Sequence, residues 1–470
     1  MEDAMATQQG AALMSDADTA PHARRAVIAS TIGTMIEWYD FYLYGLAAAL
    51  VFGKLYFPSS DPYSATLLAF STMFVGFVAR PLGALLFGHF GDRIGRKTTL
   101  VATLLLMGVS TVMIGLLPSY ESIGVWGAVG LVVLRVFQGI GVGGEWGGAV
   151  AVATEWSKFN KSRGLAASWP QFGSPLGMLM AVGALTLTAQ FGDAAWFESI
   201  GWRIPFLVSA VLIGVGLYIR LGVLETPVFQ KLQKENKLAQ APVMDAIRGY
   251  WRQILLTCLI RTGQQAPFVI FTTFLLSYGT KQLGFDRQFL FNCVLVACVI
   301  SLFANPFFGW ASDKIGRKRM YMIGAATMLA FAFPYFWMLD SKIPALVILA
   351  IVISIPIHDM QWAPLAAFTT ESFPPSVRYS GSSIGYHLAS LTSGGPAPLI
   401  CAYLLHTYGT STALSIYIAT IAAISLISAA FLKDRSKGDY ATDEGWTRDD
   451  SAPAVAAAAL AAAKVQPTAR

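Results

Sequence analysis

Two carboxylates, Glu37 and Asp40, interrupt an apolar run that reads AVIASTIGTMI before them and LAAALVF after them. With Tyr44 they stand at i, i+3 and i+7, one face of a helix. A carboxylate in hydrocarbon is costly unless paired or hydrated, so that face must point into protein or water. Other apolar runs carry stripes of the same kind. One holds Arg135, Gln138, Val142 and Glu145, interleaved with Gly139, Gly141, Gly143 and Gly144 that admit a close neighbour. Another holds Arg261, Gln264, Gln265 and Phe268, and a third His358, Gln361 and Trp362 with Asp359 one step round. Arg80 precedes Pro81 and lies nearer a loop.

Four core acids (Glu37, Asp40, Glu145, Asp359) thus face three fixed cations, Arg80, Arg135 and Arg261. A guanidinium fork suits a carboxylate. An anion bound there competes with the protein's own carboxylates, which links anion binding to carboxylate protonation. Asp40 is read as the proton carrier, Glu37 as a pairing or substrate residue, and Glu145 as a further proton-coupling candidate. Tyr44, Arg135, Gln138, Arg261, Gln264, Gln265, His358, Asp359 and Trp362 are the candidate substrate contacts. Bland readings stand beside these. Arg135 and Glu145 can be structural partners of other charges, His358 can be a satisfied core histidine, and Trp169 and Tyr386 can be packing. The expectation for Glu37 and Asp40 is that arginines face them across a bundle.

The elements that must position these residues follow from composition. The chain has 470 residues, 55% hydrophobic and 13% charged, against about 25% charged in soluble domains. It cannot cover a water-facing surface, and reads as an all-α polytopic membrane protein. One span takes about 20 apolar residues. Runs of that kind recur at 26–50, 64–87, 98–117, 125–150, 165–187 and 204–221, then at 254–278, 288–310, 320–339, 345–367, 381–404 and 412–431. The expected organisation is a tail (1–24), a six-helix bundle (25–222), a linker with one or two surface helices (223–252), a second six-helix bundle (253–432) and a disordered tail (433–470). Basic residues concentrate on one side of these spans, which puts both termini in the cytoplasm. That placement also argues against nucleic acid as the reason for the +6 charge. No basic flank of a cleavable leader precedes the first run, so that helix is expected to direct insertion.

The halves repeat each other. GHFGDRIGRK (88–97) follows the second run and GWASDKIGRK (309–318) follows the eighth. Glu155 and Arg163 answer to Glu371 and Arg378 with a one-residue slip. Parallel six-helix repeats place a substrate site between the halves. Arg80, Gly88, Asp92, Arg93, Gly95 and Arg96, with Asp313, Gly316 and Arg317, are read as a gating latch; the alternative is that these charges only set topology.

GHFGDRIGRK resembles the signature loop of the major facilitator superfamily. EWYDFYLYG, ARPLGALLFGHFGDRIGRK, LRVFQGIGVGGEWGGA and PFVIFTTFLLSYGT resemble its metabolite:proton symporter family, a match that spans about 25–433. The resemblance implies twelve helices in two pseudo-symmetric bundles, an inner-membrane location and proton-coupled uptake of a small metabolite. Family substrates include organic acids such as shikimate and 2-oxoglutarate, and zwitterions such as betaine and proline. One departure is Gln264-Gln265, where such members often read Glu-Asn. The Ala-rich stretch 452–470 lacks the heptad seam that resembles osmosensing members, which lowers the zwitterion reading.

No phosphate loop, nucleophile turn or metal-spaced His/Cys cluster appears, so no enzyme, cofactor or metal is expected. Cys258, Cys293, Cys298 and Cys401 read as small packing residues, without disulfides. The expected partners are a small-molecule substrate, protons and the lipid bilayer, with a monomer as working unit. A receptor that only binds remains a third class, separable by counterflow of labelled ligand.

Overall fold

Each apolar run forms helix, often longer than the run itself, in a computed structural model that describes residues 16–58, 62–156 and 162–436. The first half comprises α1 (Asp16–Ala47), α2 (Pro62–Arg93), α3 (Arg96–Leu116), α4 (Val125–Trp156), α5 (Arg163–Ala189) and α6 (Arg203–Leu221). A linker helix, α7 (Pro227–Lys234), follows. The second half comprises α8 (Pro242–Val269), α9 (Arg287–Ile315), α10 (Arg317–Asp340), α11 (Pro344–Thr370), the pair α12 (Arg378–Ala389) and α13 (Ala397–Tyr408), and α14 (Ser411–Phe431). Of the tails expected at 1–24 and 433–470, only 16–24 and 433–436 fall within the described residues.

Eleven of the described helical segments are long and apolar enough to cross a membrane. The segment that begins with α1 is not among them, because Glu37, Asp40 and the polar aromatics around them dilute its apolar run. With its continuation through Phe52 it makes the twelfth span. The linker holds α7 and the first turns of α8, which starts at Pro242 and kinks at Tyr250 (φ −140, ψ 28). Proline at the first helical turn suits α7, α8 and α11, since the missing N–H has no helical partner there.

Three candidate-bearing helices contain or end in a wide π turn: Ala48–Phe52 after α1, Ile270–Phe274 after α8 and Ser390–Gly394 after α12. Pro267 deprives Gly263 of its helical donor just before the second of these. The third, with Gly394-Gly395-Pro396, breaks the eleventh run, which sequence alone presents as one helix over 381–404.

Packing follows the sequence repeat. In the first half α1 lies on α5, α2 on α4, and α3 on both α4 and α6; in the second half α8 lies on α12, α9 on α11, and α10 on both α11 and α14. The halves meet where α5 touches α9 and α11, and where α12 touches α2 and α4. Cys258, Cys293, Cys298 and Cys401 are buried and free.

The α4 glycines do steric work against α2. A Cβ on Gly139 would lie 2.4 Å from the Gly76 carbonyl oxygen, and one on Gly143 would lie 2.1 Å from that of Arg80. Backbone cannot yield as a side chain does. Gly143→Ala is therefore expected to push α2 from α4, destabilise the protein by about 1–3 kcal/mol and lower its melting temperature in detergent. An unchanged melting temperature would show that this contact is not tight.

Candidate substrate site and the latch between the halves

The duplicated loops form reciprocal contacts between the halves. Asp92, at the end of α2, accepts the backbone N–H of Tyr379 (3.2 Å) and of Ser380 (2.8 Å) at the start of α12. Asp313, near the end of α9, accepts those of Gly164 (2.8 Å) and Leu165 (2.9 Å) at the start of α5. Both are carboxylates at helix N-termini, where free N–H groups and the helix dipole favour negative charge. Arg96 pairs with Asp92 (3.2 Å) and reaches Glu155 (3.5 Å), which pairs with Arg378 across the interface (3.2 Å). In the second half Arg317 pairs with Asp313 (3.1 Å) and Glu371 (2.9 Å), and Glu371 pairs with Arg163 of the first half (3.2 Å). Burial pushes the Glu371 carboxyl above the ordinary carboxylate range, against the pull of Arg317 and Arg163.

Local backbone explains the motif glycines. Gly95 (φ 121) and Gly316 (φ 100) occupy the left-handed region between consecutive helices, where a side chain is strained. Gly88 sits against Ser380, so closely that a Cβ would lie 2.9 Å from its Cα. Arg93 is exposed. The linker seals this end: Thr226 donates to Glu155 (2.6 Å), and the Phe229 ring lies 4.9 Å beneath the Arg96 guanidinium.

The centre is different. Arg80, Arg135 and Arg261 are all buried, and among the described residues none has a carboxylate within the 4.0 Å of an ion pair. Aromatic faces cradle them instead. Arg80 lies 4.5 Å from the Phe77 ring and 5.2 Å from Phe41, Arg135 lies 4.0 Å from Tyr44, and Arg261 lies 4.6 Å from Trp362 and 4.3 Å from Tyr386. Glu37 borders a small cavity with Phe41, Arg80, Arg135 and Gln138, and its Oε2 has no hydrogen-bond partner. Arg261 also donates to the Tyr386 hydroxyl (2.9 Å).

Asp40 does not share this setting. Its carboxylate accepts from the hydroxyls of Thr111 on α3 (2.7 Å) and Ser209 on α6 (3.1 Å), inside the first half. Two hydroxyls satisfy it, and among the described residues it makes no ion pair with an arginine. It still connects to the centre, because Arg135 donates to Gln138, Gln138 donates to Thr111 (2.8 Å), and Thr111 donates to Asp40. Glu145 is held away from the cavity by Arg220 of α6 and by Thr103 (2.9 Å). Tyr44 bonds Thr72 (2.5 Å). In the second half Gln264 bonds His358, His358 bonds Asp359 (3.2 Å), and Asp359 accepts from Ser301 (2.6 Å). Gln265 turns instead toward Ser393 (3.4 Å).

Several residues here escaped the sequence reading. Gln171 ties the halves together: it accepts from Trp146 (3.0 Å), its side-chain amide donates to the Trp362 carbonyl (3.1 Å), and the Trp362 indole N–H donates to the Gln171 carbonyl (3.3 Å). Trp146 stacks on Tyr386 at 3.6 Å, and Trp38 meets Trp362 edge-on at 6.2 Å. Trp38 and Trp146 each stand beside a charged residue already singled out, Glu37 and Glu145, which was the available signal.

Comparison with known proteins bears on the family and the fold. The family model of the Major Facilitator Superfamily matches residues 30–396 and 294–463. The chain is 39% identical to the inner membrane metabolite transport protein YhjE of Escherichia coli over 86% of its own length and 92% of that protein. It is 38% identical to the shikimate transporter of the same organism, over 88% and 95%. Among solved structures, it superposes on the proton:xylose symporter XylE with a TM-score of 0.73 at 18% identity, covering 89% of this chain and 97% of that one.

An amide at position 92 or 313 keeps one acceptor oxygen for two N–H groups and loses the arginine pair. Charge-assisted bonds are worth about 1.5–3 kcal/mol, so Asp92→Asn and Asp313→Asn are each expected to shift the closed-to-open ratio about tenfold or more. Spin labels at exposed Arg93 and Arg319 read this as a longer distance component. A distribution identical to the parent's would remove the latch role.

Proposed function

Because the chain belongs to the major facilitator superfamily, and is a membrane transporter of metabolites, we propose that it carries a small organic acid together with protons. The single observation behind this is the trio Arg80, Arg135 and Arg261, buried on aromatic faces without an acidic partner. A permanent structural role for three such cations would call for counter-charges, whereas a carrier for anions needs its cations free until substrate arrives. A carboxylate between α2, α4 and α8 supplies the missing charge by bidentate hydrogen bonds. Tyr44, Gln138, Gln264, Gln265, His358, Asp359 and Trp362 complete the proposed binding surface.

Asp40 is the proposed proton carrier. The chain Arg135–Gln138–Thr111–Asp40 runs from the anion site to this carboxyl. Thr111 also lies 3.0 Å from the Met107 carbonyl, so its hydroxyl has a second acceptor when a protonated Asp40 becomes the donor. Glu37, which lines the same small cavity as Arg80, takes a pairing or substrate role. Glu145, bound by Arg220, is the weaker proton-coupling candidate. The protein works as a monomer in the inner membrane by alternating access, with both termini and the latch end in the cytoplasm.

The zwitterion alternative calls for an aromatic cage around a quaternary nitrogen. Trp362 and Tyr386 form such walls, but Arg261 already occupies them. The organic-acid reading therefore leads.

Lysine retains a charge but not the planar fork. Arg261→Lys is expected to lose apparent affinity nearly as fully as Arg261→Ala, by about tenfold or more, in uptake assays with an identified acid. Near-parental affinity in the lysine variant would take Arg261 out of substrate recognition.

Asp40→Asn mimics a permanently protonated carrier. In proteoliposomes it should abolish accumulation driven by a pH gradient, which in the parent collapses with a protonophore, while substrate exchange survives. Full uphill accumulation by this variant would exclude Asp40; sodium-driven uptake by the parent would exclude proton symport altogether.

A further inference from the structure

His387 on α12 has no place in the site described so far. Its ring is fully buried, and neither Nδ1 nor Nε2 has a hydrogen-bond partner. His358, by contrast, is satisfied by Gln264 and Asp359. A neutral imidazole offers one donor and one acceptor, and buried polar groups left without partners call for an explanation such as a ligand.

The face of α12 that carries His387 is turned toward the first half. Ser380, Ser383, His387 and Ser390 stand at i, i+3, i+7 and i+10, one face of the helix. Ser380 abuts Gly88 of α2 and Ser383 abuts Gly147 of α4. The charged groups that act on the His387 ring are Arg80 of α2 and Arg261 of α8. Tyr386, whose ring is 4.9 Å from that of His387, holds Arg261 through its hydroxyl.

We propose that His387 is a specificity residue of the anion site, where it hydrogen-bonds a second oxygen function of the substrate between Arg80 and Arg261. This rests on the organic-acid reading and narrows it. The preferred substrates are hydroxy acids or dicarboxylic acids, not plain monocarboxylates. A hydroxyl either accepts from the ring N–H or donates to the bare ring nitrogen; a second carboxylate accepts from the N–H and gains the cationic surroundings.

The test uses the purified full chain and two matched series of sodium salts. One is butanoate, 3-hydroxybutanoate and succinate; the other is cyclohexanecarboxylate with its 3-hydroxy and 3-carboxy derivatives. Affinities come from ligand-dependent thermal shifts. In the parent, at least one oxygenated acid should bind about tenfold tighter than its plain counterpart, the scale of one polar hydrogen bond. His387→Phe should erase that difference while leaving the plain acid's affinity unchanged, and His387→Gln, which retains a donor and an acceptor, should keep most of it. If no acid in either series shifts the parent, the organic-acid reading and this inference fall together. If acids bind but His387→Phe keeps the parent's selectivity, or weakens all members equally, only the role of His387 falls. Should His387→Phe not be monodisperse, His387→Leu takes its place. Should both apolar variants fail to fold, His387→Gln reads the same ratio, and a ratio identical to the parent's overturns the proposal.

Discussion

A guanidinium taken out of water without a counter-ion loses several kcal/mol of hydration even after the protein relaxes around it. This protein buries three near one another, on Arg80, Arg135 and Arg261. The aromatic rings beneath them return on the order of 2 kcal/mol apiece, which offsets part of that loss without supplying negative charge. The centre is therefore kept strained toward negative charge, and the surrounding architecture must hold it there. Trp146, Trp362 and Tyr386 do so with large flat surfaces that exclude water and fix the Arg261 fork in one orientation.

The ion pairs that join the halves lie at one end of the molecule. The four arginines Arg96, Arg163, Arg317 and Arg378 are each matched to carboxylates, in contrast to the three in the middle. These four are balanced by the protein's own carboxylates, whereas Arg80, Arg135 and Arg261 rest on aromatic faces. One sequence duplication supplies the first set twice, and its two copies interlock by crossing the interface.

The parts most legible in the sequence were those that repeat or obey helical spacing. The twin loops around Asp92 and Asp313 gave away the duplication, and the stripes on α1, α4, α8 and α11 indicated which faces turn inward. Spacing along one helix says nothing about which neighbour arrives opposite it. Hence the two hydroxyls on Asp40 come from Thr111 and Ser209, residues that look like ordinary polar interruptions. Arg220, at the end of its run, reads as one more boundary charge, yet it turns inward to Glu145. Adjacent Gln264 and Gln265 look equivalent in sequence, but about 100° of helical rotation sends one to His358 and the other to Ser393.

The latch aspartates grip amide hydrogens, not side chains. Every residue except proline carries such a hydrogen, so the grip itself sets no demand on residue identity at positions 165 and 380. The steric limits at Gly164, and on the Tyr379 ring against Gly91, are separate matters of space. A contact keyed to the main chain leaves the side chains along α5 and α12 free to vary without breaking the join between the halves.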